Sequence, residues 1–172
     1  MLYSICIGLF VIVCILLVGI ILIQTSKGGG LGAGISGNAG LFGNTIDLAK
    51  VMQLYLWMGQ YGGERYISEQ TLKEFTKRQY PHLQNRRGLG FDKTLMKDKE
   101  KGTPALDASD ASFGHSGYTG TFTWADPDNG LLFIFMSNRV HPRRTNGKLY
   151  KLNIRPSMHN ILYELLKEAK KE

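Results

Sequence analysis

The segment Phe113-Gly114-His115-Ser116-Gly117-Tyr118-Thr119-Gly120-Thr121-Phe122-Thr123-Trp124 joins a glycine-rich stretch to alternating polar and aromatic side chains. The period-two alternation predicts a half-buried β-strand, with strand signals from Phe113 through Trp124. Its glycines let a backbone lie close to a neighbour or a ligand, because they carry no Cβ. His115 and Ser116 can offer hydrogen bonds to a bound carbonyl or carboxylate there. A tight turn into a core strand fits the same pattern, so both interpretations stay open.

Downstream of this segment, the sequence predicts a hairpin and a final helix. Asp126–Gly130 has turn-forming residues throughout and leads into the apolar strand Leu131–Met136. Pro156 suits the first turn of a helix that we expect to pack on the sheet. The predicted inward stripe of this helix consists of Met158, Ile161, Leu162, Leu165, Leu166 and Ala169.

Upstream, two helices and a short strand are predicted. Asn44, with Asp47 after it, starts the first helix, and Ser68 caps the second. The inward residues are Leu48, Ala49, Met52, Tyr55 and Leu56 in the first helix and Leu72 and Phe75 in the second, which Pro81 closes. Gly88–Phe91 is predicted as a strand and 97–110 as an exposed loop. The fold class is therefore α+β, an antiparallel sheet with a packed C-terminal helix.

The chain is basic, with a formal charge of +7 and a pI near 9.4. The stretch Asn129–Tyr163 contains no Asp or Glu but holds Arg139, Arg143, Arg144, Lys148, Lys151 and Arg155. No nucleic-acid-binding motif accompanies these cations, so we interpret them as a solvated face and expect no nucleic-acid partner.

Metal and cofactor sites are not indicated. Cys6 and Cys14 both lie in the first apolar run, where they act as small apolar residues. The spacing of the histidines and carboxylates matches no metal site, so His82, His141 and His159 are expected to be solvated or at helix ends. We expect no cofactor.

Residues Ile5–Ile23 form a 19-residue run without charge, long enough to cross a bilayer as a helix. A signal peptide would begin with Lys or Arg and have a shorter apolar centre. The sequence thus predicts a membrane helix within 1–27, a glycine-rich linker at 28–37 and a further domain at 38–172. Lys27 alone weakly favours a cytoplasmic C-terminal side, so the side remains open.

The N-terminal residues resemble the first half of SecG, a membrane subunit of the bacterial protein-export channel. The resemblance lies in Leu22-Ile23-Gln24 and in Ser26-Lys27-Gly28-Gly29-Gly30-Leu31. It implies a role in protein secretion, with the export channel as partner. The second membrane helix of that family has no counterpart here, and a generic anchor with a glycine linker is the alternative.

The remainder, about 37–168, resembles serine hydrolases of the β-lactamase and DD-peptidase type. The resemblance rests on Asn38–Lys50, Phe113–Thr121, Phe133–Pro142 and the closing helix, in the family's order. It implies that 38–172 is the C-terminal fragment of a β-lactamase-like domain, with His115-Ser116-Gly117 as the family's third motif. By this resemblance His115 and Ser116 would contact a substrate carboxylate or acyl oxygen, and Gly117 would leave room for the substrate backbone.

The nucleophile motif of that family is missing. Its serine precedes a lysine by three residues, and none of the serines in this sequence does so; Thr94 with Lys97 has this spacing only by coincidence. We therefore expect a membrane-anchored, catalytically incompetent fragment, single-pass in the bacterial cell membrane. The lipid bilayer and a chain supplying the missing half of the hydrolase are expected partners, and an export subunit is the alternative function.

Overall fold

The computed structural model describes residues 43–171. These residues form, in chain order, α1 (Thr45–Leu56), β1 (Gln60–Tyr61), β2 (Glu64–Arg65), α2 (Glu69–Thr76), β3 (Phe113–Ser116), β4 (Phe122–Asp126), β5 (Leu131–Phe135), α3 (Lys148–Lys151) and α4 (Ile154–Ala169). The α+β class predicted from the sequence is confirmed. None of the helices within 43–171 has the length and apolarity needed to cross a bilayer. The predicted membrane helix and the linker at 28–37 lie outside the described residues.

The main sheet is antiparallel with the order β3-β4-β5. Phe113 pairs with Ala125, and Phe122 pairs with Phe135. The strand signals from Phe113 through Trp124 belong to two strands, because the chain reverses between Gly117 and Thr121, so the interpretation as a tight turn into a core strand is confirmed. The Gly117 N–H donates to the Thr121 carbonyl at 2.8 Å, which closes the turn. The predicted hairpin turn after Asp126 is confirmed.

Helices cover both faces of this sheet. Leu48 and Met52 of α1 pack with Phe113 and Ala125 on one face. The other face carries the aromatic cluster Phe122, Trp124 and Phe133. His159 of α4 stacks on Phe133 there, with the ring centroids 4.7 Å apart. The sheet is thus the middle layer between α1 and α4.

Both predicted helix starts are confirmed. The Asn44 side chain accepts hydrogen bonds from the N–H groups of Ile46 and Asp47, at 2.9 and 3.0 Å. Ser68 accepts one from Thr71 N–H at 3.1 Å. Helix α2 ends at Thr76, before the predicted stop at Pro81.

The inward faces of α2 and α4 differ from prediction. In α2, Leu72 is buried as expected, but Phe75 is 44% exposed. In α4, the residues at buried positions are Arg155, His159 and Tyr163, whereas Met158, Ile161 and Leu165 are 44%, 52% and 55% exposed. Polar partners decide how α4 is rotated about its own axis and so which face is buried. His159 accepts a hydrogen bond from Ala105 N–H, and Tyr163 donates one to Asp126. The expectation of a solvated His159 is therefore wrong.

Two further predictions are corrected between α2 and β3. Gly88–Phe91 forms no strand; the next residue, Asp92, makes an isolated bridge with Gly114. The segment 97–110 is only partly an exposed loop, because Ala105 and Ala108 are buried against Tyr163. The small hairpin of β1 and β2 was not predicted. Its turn needs glycine, since Gly62 and Gly63 both have positive φ.

Candidate functional site

The three residues predicted to line a substrate pocket, His115, Ser116 and Gly117, lie where β3 ends and its turn begins. We call them the His-Ser-Gly wall. Gly114 exchanges two backbone hydrogen bonds with Asp92, at 2.7 and 3.0 Å, on the side away from β4. Backbone groups two residues apart on a strand point the same way. The Ser116 N–H therefore also points away from β4, and no described residue accepts it there. Within residues 43–171, the edge of β3 thus offers one backbone donor that has no acceptor.

His115 is held by two neighbours. Its Nδ1 lies 2.9 Å from the Ser116 carbonyl oxygen, and its Nε2 lies 3.1 Å from Nη1 of Arg87. A carbonyl only accepts and a guanidinium only donates, so Nδ1 carries the proton and Nε2 accepts. Both ring nitrogens are occupied by protein groups. His115 consequently fixes Arg87 and the end of β3 rather than presenting a free atom of its own.

Arg87 in turn contacts the buried Asp92. Nη1 of Arg87 lies 2.9 Å from Oδ1 of Asp92, an ion pair rather than an aligned hydrogen bond, and Arg86 approaches Oδ2 at 3.4 Å. Half of the Arg87 side chain remains exposed. Two arginines share one carboxylate, so the cluster keeps an excess positive charge beside the β3 edge.

Of the remaining wall residues, Ser116 is the more informative. Its hydroxyl makes no hydrogen bond to any described residue, although the side chain is only partly exposed. Gly117 serves the turn, accepting a hydrogen bond from Gly120 N–H at 3.0 Å. Gly120 has a φ of +95°, and a Cβ there would clash with Leu149 and Ser137.

An arginine–tyrosine cluster adjoins this turn. The guanidinium of Arg139 lies between the rings of Tyr118 and Tyr150, 4.6 and 4.8 Å from their centroids. Arg144 Nε donates to the Tyr118 hydroxyl at 2.6 Å, and this hydrogen bond lowers the pKa of Tyr118.

The basic residues between Asn129 and Tyr163 were expected to form a solvated face, and this expectation is wrong at Arg155. Its side chain is buried against the rings of Tyr150 and Phe122. This burial lowers the pKa of Arg155.

The Thr94–Lys97 pair does not form a nucleophile. The Thr94 hydroxyl is buried, donates to Asp110 at 3.1 Å and accepts from Arg78 at 2.8 Å, while the Lys97 side chain is exposed. Among residues 43–171 there is also no group of three or more His, Cys, Asp or Glu side chains arranged for a metal ion.

Sequence reasoning missed Arg87 and Asp92, which support His115. They precede it by 28 and 23 residues and belong to no local motif, so only the fold brings them together. An arginine pair followed by Gly-Leu-Gly and an Asp was the available signal, and it is a weak one.

Comparison with known proteins assigns the family. The family model described as Beta-lactamase matches residues 22–154 of the 172. The chain belongs to the β-lactamase family. The match includes the His-Ser-Gly wall, and it also begins before the glycine-rich stretch 28–37.

Similar proteins include putative D-alanyl-D-alanine carboxypeptidases from Salmonella paratyphi B and Salmonella newport. Each is 36% identical over 118 residues, which are 67% of this chain and 26% of the relative. The chain therefore spans about a quarter of the length of these relatives.

The fold comparison agrees. A β-lactamase from Mycobacterium bovis aligns with a TM-score of 0.54 and 22% identity, over 70% of this chain and 43% of that one. At this identity the likeness concerns the fold alone. The β-lactamase-like α+β architecture predicted from the sequence is thereby confirmed for the part of the chain that aligns.

Proposed function

We propose that this chain provides one ligand-binding wall of a serine hydrolase of the D-alanyl-D-alanine carboxypeptidase type. We further propose that these 172 residues bind ligands but do not turn them over. The observation that carries the proposal is the end of β3, where the hydroxyl and backbone N–H of Ser116 have no partner among the described residues and the neighbouring His115 holds Arg87. These groups are two neutral donors and one cation at a strand edge, a set suited to a carboxylate or an acyl oxygen.

The roles within the wall follow from the contacts. Ser116 donates to the ligand from its side chain and its backbone. Arg87 adds charge, and His115 holds Arg87 in place, so His115 is a positioning residue. Gly117 keeps the role that the family resemblance implies, leaving room for the ligand backbone.

Turnover needs a nucleophile that this sequence does not contain in the family's Ser-x-x-Lys form. Because the aligned part makes up only 26% of each relative, two sources for the nucleophile are open. It belongs either to further residues of the same protein or to a second chain that completes the hydrolase. Without it, acyl transfer is expected to fall by several orders of magnitude.

We also propose that residues 1–27 anchor the chain in the bacterial cell membrane as a single pass, since Ile5–Ile23 carries no charge. Alkaline carbonate extraction should leave the whole chain in the membrane fraction and release a variant without residues 1–27. Release of both would refute anchoring. The export-subunit alternative gains no support from the comparisons, because the family match already covers residues 28–37.

The binding test uses the whole chain in detergent and a peptide ending in D-Ala-D-Ala. Its L-Ala-L-Ala diastereomer is the matched control. Amide resonances of Ser116 and Gly117 should shift with the D,D peptide and much less with the L,L peptide. Ser116→Ala and Arg87→Gln should each weaken binding by about tenfold, the usual loss for a charge-assisted hydrogen bond. Equal response to both peptides would overturn the binding role.

The turnover test is acylation by a fluorescent penicillin, followed by mass spectrometry of the intact chain. We expect no covalent adduct. Stoichiometric labelling would overturn the claim that the 172 residues lack a nucleophile, while leaving the binding role intact.

A further inference from the structure

An open groove of about 990 Å³ lies away from the His-Ser-Gly wall. Its walls come from α2, from Met58 before β1, from the segment between α2 and β3 and from the turn between β4 and β5. Apolar side chains from separate parts of the chain line it, namely Met58, Pro81, Met96 and Pro127. None of the three wall residues contributes to this lining, so the groove is a separate feature of the molecule.

Four cations line the groove, and three of them have carboxylate partners. Lys73 pairs with Glu69 and Lys77 with Glu74, both at 2.6 Å. Arg78 lies 3.4 Å from Asp110. Among the described residues, Lys93 has no carboxylate within ion-pair distance. Of the four cations, Lys93 is therefore the one that has no carboxylate partner in the part of the chain that the structure describes.

Lys93 is also the most buried of these cations, at 4% exposure. Its amine donates one hydrogen bond, to the Ala111 carbonyl at 2.9 Å, and an ammonium group has three donors. A buried ammonium without a counter-ion is costly. Consistent with this, burial, and secondarily the charge of Arg78, lowers the pKa of Lys93 to about 8. More distant carboxylates, those of Asp110, Asp126 and Asp128, act in the opposite direction.

We infer that this groove binds a small amphipathic carboxylate, with the acid group on Lys93 and the apolar body along Met58, Met96 and Pro127. Charge complementarity selects an anion, because the charge of the lining that has no partner among residues 43–171 is positive. The apolar lining selects a ligand with a hydrocarbon or aromatic body over a bare inorganic anion. The proposal does not depend on the function of Ser116 or on any acyl transfer.

The test uses 4-phenylbutyrate as the probe and its neutral amide as the matched ligand. Binding to the whole chain is measured by titration calorimetry near pH 8, in two buffers of different ionisation enthalpy. We expect the acid to bind at least about tenfold more tightly than the amide. We also expect proton uptake on binding, because an ion pair with the acid favours the charged form of Lys93.

Two variants complete the design. Lys93→Met should lose the preference for the acid and the proton uptake, whereas Lys73→Met, on the same groove, should keep both. Ser116→Ala should also keep both, which separates this proposal from the function proposed above. Should Lys93→Met fold poorly, the proton uptake of the unchanged chain still decides. Equal binding of acid and amide, or binding of the acid without proton uptake, would overturn the proposal.

Discussion

The hydroxyl of Tyr163 in α4 donates a 2.6 Å hydrogen bond to Oδ2 of Asp126 at the end of β4. Asp126 is fully buried and accepts further hydrogen bonds from the Ser109 N–H, the Ser109 hydroxyl, the Asp128 N–H and the Asn129 amide. One carboxylate thus joins the last helix, the hairpin turn and the segment before β3. Burial alone would raise the pKa of Asp126, but these hydrogen bonds, led by those of Ser109, hold it below its usual value.

Asp126→Asn should reduce the free energy of unfolding by about 2–4 kcal/mol, since an amide cannot accept all five hydrogen bonds and brings its own buried donors. Urea denaturation measures this loss. Asp128→Asn is the matched control, because the Asp128 side chain is exposed and makes no hydrogen bond to the described residues. A loss below about 0.5 kcal/mol for Asp126→Asn would contradict the role of this carboxylate.

The free energy of unfolding should also decrease as the pH falls, because the buried His159 resists protonation in the folded chain. Burial lowers the pKa of His159 to about 4, from an ordinary value of 6.5. The unfolded chain therefore binds a proton that the folded chain excludes between these two values. The contribution of His159 is complete above about pH 6.5 and is lost as pH falls towards 4, by up to about 3 kcal/mol.

Unfolding free energies measured from pH 7 to pH 4 check this dependence. His159→Gln should be less stable at pH 7, because it loses the stacking on Phe133. It should show a shallower decline with acid, because glutamine does not titrate. Identical slopes for the two proteins would show that His159 does not carry the pH dependence.

Local signals in the sequence predicted the fold class well. The Asn44 and Ser68 caps, the turn after Asp126 and the apolar strand Leu131–Phe135 each depend on neighbours within a few residues. The rotation of α4 could not be predicted this way, because hydrophobicity favours Met158, Ile161 and Leu165 facing inward. Hydrogen bonds between His159 and Ala105, 54 residues apart, and between Tyr163 and Asp126, 37 apart, set the rotation instead.

In the candidate site, too, local sequence predicts one part, and contacts between distant residues determine the rest. The His-Ser-Gly motif was found from its own residues and its resemblance to the family. The contact that fixes the ring of His115 comes from Arg87, which no local pattern connects to it. The groove around Lys93 was not predicted either, because a lysine is exposed by default and only its packing against Ala111 reveals its burial.

Gly114→Ala should destabilise the sheet by about 2–4 kcal/mol. A Cβ at Gly114 would clash with the Thr123 carbonyl and with the ring of Trp124, neither of which is the free end of a flexible chain. Gly43→Ala is the control, since a Cβ there meets no atom of the described residues within 4 Å. The midpoint of thermal unfolding compares the two. A midpoint for Gly114→Ala equal to that of the control would refute the close approach of β3 and β4 at this position.

A lysine should be tolerated on the exposed face of α4 and should destabilise the protein on the face that packs on the sheet. Ile161→Lys should change the unfolding free energy by no more than about 0.5 kcal/mol, because Ile161 is 52% exposed. Leu162→Lys, one position along, should cost about 2 kcal/mol or more, because Leu162 packs on the cluster of Phe122, Trp124 and Phe133. Urea denaturation of both variants under one condition makes the comparison direct. If Ile161→Lys proved the more damaging, α4 would turn Ile161 rather than Leu162 towards the sheet, and the contacts of His159 and Tyr163 would not set its orientation.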